Sequence, residues 1–350
     1  MWYNIDNRSI SEKENVMNTK KKTALLASLM SAILFTACTS PSNKVKFSEN
    51  WYNDTTSDIK ANVSETLTYS VGFTALSSSN SQYRGLRYNQ GTYTTKLVSV
   101  YSEELQTYLY NYSTKLSISG EHECKTTGEI LNFTDSVTSE VVFTSAMQGL
   151  KPISSKKTIL SHTPSTSTAP QTLAECYKKY NYTVETTYDE NLNGTSVQTI
   201  YYDAKDENTP AEEPSVTTTN FTAKDNSYTT LDNEQLLFAI RGISTFSSQK
   251  FNVYNNSWKR SQLVGLSAQT ETSDEFSLKI NGEEKKVTIA YTPLTLGIQE
   301  KNSGSEQTIW VAKTTERTNN LYRNVILSFT VPVYNAYGSF EYKLVEANFM

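Results

Sequence analysis

Apolar and polar residues alternate at every second position through most of the chain beyond residue 63. Leu67, Tyr69, Val71 and Phe73 are each separated by a less apolar residue, the period-2 mark of a strand with one dry and one wet face. Residues 92–101 continue in the same way. Across residues 107–119, Tyr108, Tyr110 and Tyr112 fall in step with Leu116 and Ile118. Similar runs occupy 137–144, 153–160, 180–188, 197–202, 216–223, 251–254, 258–268, 307–313, 324–331 and 339–346. Phe276, Leu278 and Ile280 alternate up to Asn281-Gly282, and Val287, Ile289 and Tyr291 alternate after it. Asn-Gly between two such runs predicts a tight hairpin.

The helical period occurs clearly once. Asp232 is placed to cap a helix, and Gln235 three residues later completes a capping box. Leu236, Leu237 and Ile240 follow on one face, and Gly242 after Arg241 supplies a stop. A short amphipathic helix over 232–241, lying on one end of a sheet, is expected. Two Pro-containing polar stretches, 161–171 and 206–214, read as solvated loops. The pattern amounts to about fourteen strands and one helix. Alternation in nearly every strand implies antiparallel pairing, and so many strands cannot remain one flat sheet. The predicted fold is all-β: a large curved antiparallel sheet rolled into a barrel-like or sandwich shape, with one short helix.

The N-terminal region follows a different rule. Lys20, Lys21 and Lys22 precede an apolar run over 24–37, interrupted by Ser28, Ser31 and Thr36. The run ends in Leu34-Phe35-Thr36-Ala37-Cys38. A basic segment, a short apolar segment and a small residue before the cut describe a secretory signal. The run falls short of the roughly 20 apolar residues of a spanning helix. The junction resembles the lipobox of bacterial lipoproteins, with Ala37 and Cys38 matching and Phe35 standing where leucine is usual. That resemblance implies cleavage before Cys38, diacylation of its thiol and a membrane as partner, with the chain exported and tethered to the bacterial cell envelope. Two acyl chains anchor stably where one binds marginally. The expected organisation is an upstream extension over 1–16 with Met17 as the start, a signal peptide over 17–37, a flexible tether over 38–62 and a β domain over 63–347.

Charge narrows the partners. Five of the 32 Lys+Arg and three of the 36 Asp+Glu lie before Cys38, so the mature part carries 27 basic and 33 acidic residues, a net charge of −6. No basic stripe suits nucleic acid. The 23 tyrosines fit half-buried strand surfaces, or alternatively aromatic platforms for sugars. Of three cysteines, Cys38 is assigned to lipid. Cys124 and Cys176 are either a disulfide, as an oxidising compartment favours, or two separate thiols.

A further resemblance is carried by three stretches. They are Glu65-Thr66-Leu67-Thr68-Tyr69-Ser70-Val71-Gly72-Phe73, the helical segment at 232–241, and a tail with Ile309-Trp310-Val311 and Gly338-Ser339-Phe340-Glu341-Tyr342-Lys343-Leu344. Together they resemble a family of exported bacterial β proteins of uncharacterised function. The resemblance implies a curved antiparallel sheet and carries no catalytic residue.

Chemistry is sparse. His162 lies in a predicted loop with no evident partner, and no nucleophile elbow accompanies it. In Glu121-His122-Glu123-Cys124, His122 and Cys124 share one strand face, but two ligands do not complete a metal site. Asp189, Asn191, Asn193 and Gly194 match the start of a calcium loop, yet Ile200 stands where the bidentate Glu is required. Glu103-Glu104 and Glu212-Glu213 are sequence neighbours pointing apart, unlike the facing acids of a glycosidase. No Gly-rich phosphate loop is present, and no cofactor or metal is expected.

Two readings follow. The first is a non-enzymatic binding module holding a hydrophobic or lipid-like ligand on a concave sheet, lined by Tyr110, Leu116, Ile118, Val253 and Leu278. The alternative is a surface adhesion or glycan-binding protein using exposed aromatics, with Trp51, Trp258 and Trp310 as anchors.

Overall fold

The computed structural model describes residues 44–48, 63–75, 85–164, 170–201, 213–223, 227–243, 245–256, 259–298, 306–313, 324–332 and 338–349. The signal segment, Cys38, Trp51 and Trp258 lie outside them, as do most of the tether and most of the 206–214 loop.

The chain forms β1 (Ser64–Ala75), β2 (Leu86–Ser102), β3 (Thr107–Glu123), β4 (Ile130–Phe143) and β5 (Pro152–Pro164), then α1 (Leu173–Cys176). There follow β6 (Tyr177–Tyr188), β7 (Gly194–Ile200), β8 (Ser215–Phe221), β9 (Thr229–Asp232) and α2 (Leu236–Arg241). The rest comprises β10 (Gln249–Asn255), β11 (Arg260–Ala268), β12 (Thr272–Ile280), β13 (Glu283–Ile298), β14 (Gln307–Ala312), β15 (Ile326–Pro332) and β16 (Gly338–Phe349). The all-β class holds, with sixteen strands and two short helices among the described residues.

β1 to β8 form an antiparallel meander. The free edge of β1 pairs with β16, and the sheet continues through β15, β14 and β13. The long β13 then serves two partners along one edge. Its Glu283–Tyr291 part pairs with β12, and its Leu294–Ile298 part pairs with β11. The far edge of β12 meets β16 in parallel at Lys279↔Glu346 and Ile280↔Ala347, so β12 to β16 close a five-stranded ring. Asn281-Gly282 makes the β12–β13 hairpin with φ of 47° and 87°, both values a type I′ turn needs.

The strands run further than periodicity suggests. β5 extends through Ser161 and His162 to Pro164, so the proline-bearing segment begins its loop only after strand pairing with β6 has ended. Pro164 is the terminal pair of that ladder, a place where a missing N–H is tolerated. Thr229–Asp232 is a strand the pattern hides: all four residues are buried, so no alternation marks them. The tether is not free along its whole length. Phe47 bridges Ile243, Ser48 N–H donates to Gly242 O at 2.7 Å, and Val45 is buried. Val45 and Phe47 give this part of it something to bury.

The helix also differs from expectation. It spans six residues rather than ten, and every one is buried, Arg241 included. It sits within the apolar core instead of lying across a sheet end. Gly242 caps it in the right-handed region, φ −82°. The capping box is made one residue short: Gln235 Oε1 accepts from the Asp232 N–H at 3.3 Å, while Asp232 Oδ1 accepts from the Glu234 N–H at 2.7 Å rather than from that of Gln235, and Oδ2 is taken by Ser155 and Tyr188.

Candidate functional site

The concave face of the sheet is the first place to seek a site. Tyr110, Leu116 and Ile118 on β3, Val253 on β10 and Leu278 on β12 all belong to one buried apolar cluster. α2 is part of the same cluster and packs over the Tyr110 end of β3. The Phe238 ring lies 5.9, 5.3 and 5.2 Å from those of Tyr110, Tyr112 and Phe143. A second aromatic group, Tyr69, Tyr93, Phe329 and Tyr342, fills the region of β1, β2, β15 and β16, with Phe329 and Tyr342 stacked at 4.2 Å. The five residues expected to line a ligand cavity are therefore core. Their alternation marks burial, and it does not distinguish a cavity wall from a filled interior.

Polar groups fasten β9 and α2 to the sheet. Asp232 Oδ2 accepts from Ser155 Oγ and from Tyr188 Oη, each at 2.6 Å. Lys157 Nζ donates to Glu234 Oε1 at 2.8 Å, and Gln235 Nε2 donates to Leu150 O at 2.6 Å. Arg241 joins Glu65 on β1. Burial raises the pKa of Asp232, and the Glu234 charge beside it adds to the rise. Burial pulls Lys157 down, but the Glu234 carboxylate, with Tyr182 and Asp232 beside it, more than offsets this and holds the ammonium above the ordinary lysine range. Two carboxylates and one lysine of perturbed affinity are the kind of cluster that marks acid–base chemistry. Here Asp232 is 0% and Lys157 2% exposed, so no substrate atom reaches them while the interior is packed.

Both histidines of the chain lie toward one end of the β3–β5 region. β4 and β5 pair from Phe143↔Pro152 to Ser136↔Leu160, then part. Asp135 fills the parting: its Oδ1 accepts from the His162 backbone N–H at 2.8 Å and meets His162 Nδ1 at 2.9 Å, while Tyr88 Oη donates to Oδ2 at 3.3 Å. His162 thus has a partner, Asp135, which the loop reading missed. Burial raises the Asp135 pKa, and its bonds to His162 pull the other way. Cys124 and Cys176 are joined in a disulfide, Cα atoms 5.6 Å apart, which ties the end of β3 to the start of β6. His122 is buried there, its Nε2 3.2 Å from Cys176 O. With Cys124 in the bond, no thiolate is left to ligate a metal beside His122. Among the described residues, no cluster of three metal-ligating side chains occurs.

The other sequence candidates also resolve. Asp189 Oδ1 accepts from the N–H groups of Asn191 and Asn193, so the calcium-like segment is the β6–β7 hairpin turn. Trp310 is half-buried and stacked on Tyr291 at 4.8 Å, packed against the core. Among the described residues, no helix is long and apolar enough to cross a membrane, which leaves β structure unaddressed.

One opening lies on the wet side of β1. Ser70 and Gly72 alternate with buried Tyr69 and Val71, so they face away from the core. With Asn89 and Gln90 on β2 and Glu341 and Lys343 on β16, they line a cleft of about 390 Å³.

No family model matches the chain, and no curated protein does. A solved structure is similar over 83% of this chain and 100% of its own, with 8% identity and a TM-score of 0.42: a β-barrel-like protein of a domain of unknown function, DUF1849, from Brucella abortus.

Proposed function

We propose that this chain is an exported, lipid-anchored, non-enzymatic binding module that engages glycan in the bacterial cell envelope through its outer surface. Cys38 carries the lipid in this reading, and the polar segment after it reaches from the membrane to the β domain. One observation supports the outer surface over the interior: Phe238 and its helix occupy the space in front of the concave sheet. A lipid-like ligand on Tyr110 would first have to displace that helix, breaking the bonds of Asp232, Glu234 and Arg241, and one on Leu116 and Ile118 would have to open the packed core around them. The acid–base groups that catalysis would use are the same enclosed fastenings.

Two measurements test this. Native mass spectrometry of the full chain released from detergent should give the polypeptide plus its covalent anchor. An excess mass of lipid that leaves on denaturation would overturn the outer-surface reading in favour of the cavity. Purified envelope polysaccharide immobilised on beads should retain the protein; passage through the column unretarded would count against glycan as the ligand.

A further inference from the structure

We infer that the cleft over Gly72 is a saccharide-binding site that accepts a neutral sugar residue through its hydroxyls. The inference rests on the glycan reading above and adds the place and the chemistry.

Gly72 is the first argument. Glycine inside a strand weakens it and often marks a bulge, a tight bend or a place where a ligand or another backbone comes close. At Gly91, Gly120 and Gly194 an added Cβ would fall within 3.0 Å of neighbouring atoms, so packing demands glycine. Gly128, Gly149 and Gly282 have positive φ, so conformation demands it. Gly72 has neither reason: a Cβ there would meet nothing within 4 Å, and its φ lies outside the left-handed range. It pairs in unbroken register with Glu341, with no bulge at that position. What its bare backbone provides is a floor that a ligand can approach.

The walls are the second argument. β2 gains one residue between Tyr88↔Gly120 and Gly91↔Ile118, a bulge that leaves both Asn89 and Gln90 exposed. Bulges of this kind re-aim side chains beside sites. Asn89 Nδ2 is steadied by Ser119 Oγ at 3.3 Å. Across the floor, Glu341 Oε1 and Lys343 Nζ are 3.1 Å apart, an ion pair that leaves the wall without net charge. Ser70 Oγ donates to Lys343 O at 3.4 Å, and its lone pairs remain to accept. Amides, a hydroxyl, a carboxylate and an ammonium together offer donors and acceptors in alternation, which suits vicinal hydroxyls. A balanced wall does not select a phosphate or a polycation. Phe73 and Tyr88 also border the cleft, while their rings turn to the core face, in edge contact at 5.1 Å and packed on Phe340. A volume of about 390 Å³ is at the small end of ligand sites, which run from about 300 to 1,000 Å³.

Gly72→Leu provides the test, because a Cβ there meets nothing within 4 Å and the rest of the side chain grows from the cleft floor. The full chain in detergent is titrated calorimetrically with cellotriose, chitotriose, mannotriose and, as an anionic control, trigalacturonate. At least one neutral trisaccharide should bind, and Gly72→Leu should weaken it at least ten-fold with the melting temperature retained. If Gly72→Leu does not fold, Gln90→Ala combined with Glu341→Gln, both at exposed or half-exposed positions, takes its place and should show the same loss. Binding of a neutral sugar unchanged in these variants would overturn the cleft while leaving the glycan reading intact. Binding of trigalacturonate alone would overturn the neutral-sugar class. Failure of every trisaccharide, together with failure of polysaccharide retention, would overturn both.

Discussion

Arg241, the last residue of α2, grips Glu65 of β1 through two parallel hydrogen bonds, 2.6 and 2.8 Å long, across 176 positions of sequence. Nε of the same guanidinium donates to Asn324 O at 3.1 Å, and Asn324 Nδ2 returns a bond to Arg241 O at 2.7 Å. The helix end, the first strand and the approach to β15 are therefore held at one point. Both charges are buried, so each depends on the other for compensation. Removing one partner of such a pair costs about 3–5 kcal/mol. Arg241→Ala should lower the unfolding free energy by that amount in urea titrations. Arg241→Lys should recover only part of it, because an ammonium cannot present the same fork to two carboxylate oxygens. A stability of Arg241→Ala within about 0.5 kcal/mol of the native protein, the size of an ordinary surface change, would mean the pair contributes nothing; the same result for Arg241→Lys alone would mean the fork is dispensable.

The disulfide closes a long segment: Cys124 and Cys176 are 52 residues apart in sequence. Between them lie β4 and β5, which part beyond Ser136↔Leu160. In the chain-entropy account a loop of this length is stabilised by about 4 kcal/mol. Replacing both cysteines by serine should lower the denaturation midpoint, by about 2–4 kcal/mol in free energy, while far-UV circular dichroism keeps its strand signal. Limited proteolysis should then cut first near the β3–β4 turn or ahead of β6. An unchanged midpoint would show that the hydrogen bonds at this end, those of Asp135 with His162 and of His122 with Cys176 O among them, hold it without the disulfide.

His122 couples this region to pH. Burial lowers its pKa from 6.5, partly offset by the hydrogen bond at Cys176 O. Its Nδ1 is buried without a partner among the described residues. The unfolded chain therefore takes up the proton first as pH falls through about 6.5. Between that value and the lower folded pKa, the unfolded state binds more protons, so stability declines with acidification. His122→Gln retains a donor for Cys176 O and has no proton to gain. Its stability should fall less than that of the native protein between pH 7 and 5, measured by thermal melts across buffers. Parallel curves for the two proteins would remove His122 as the cause.

The strands were legible because one face of nearly every one is wet. Tyr69 and Val71 inside, Ser70 and Gly72 outside, need no neighbour to be identified. The Asn281-Gly282 hairpin was legible for a local reason, since only those backbone conformations join two twisted strands in two residues. β9 was not, because burial on all sides erases the alternation. Nor was the partner of His162, which comes from Asp135 on the neighbouring strand.

Alternation, turn residues and charge are properties of neighbours along the chain, and by themselves they determined an all-β fold with antiparallel pairing and one short helix near residue 236. What lies opposite a face across the molecule is not written in that local pattern. Tertiary structure alone decided that α2 fills the concave side, that Cys124 meets Cys176, and that Arg241 finds Glu65. It also set the cleft over Gly72, where β16, from the other end of the chain, brings its polar face beside those of β1 and β2. Each depends on how a long twisted sheet rolls, and rolling is settled by packing summed over all its strands.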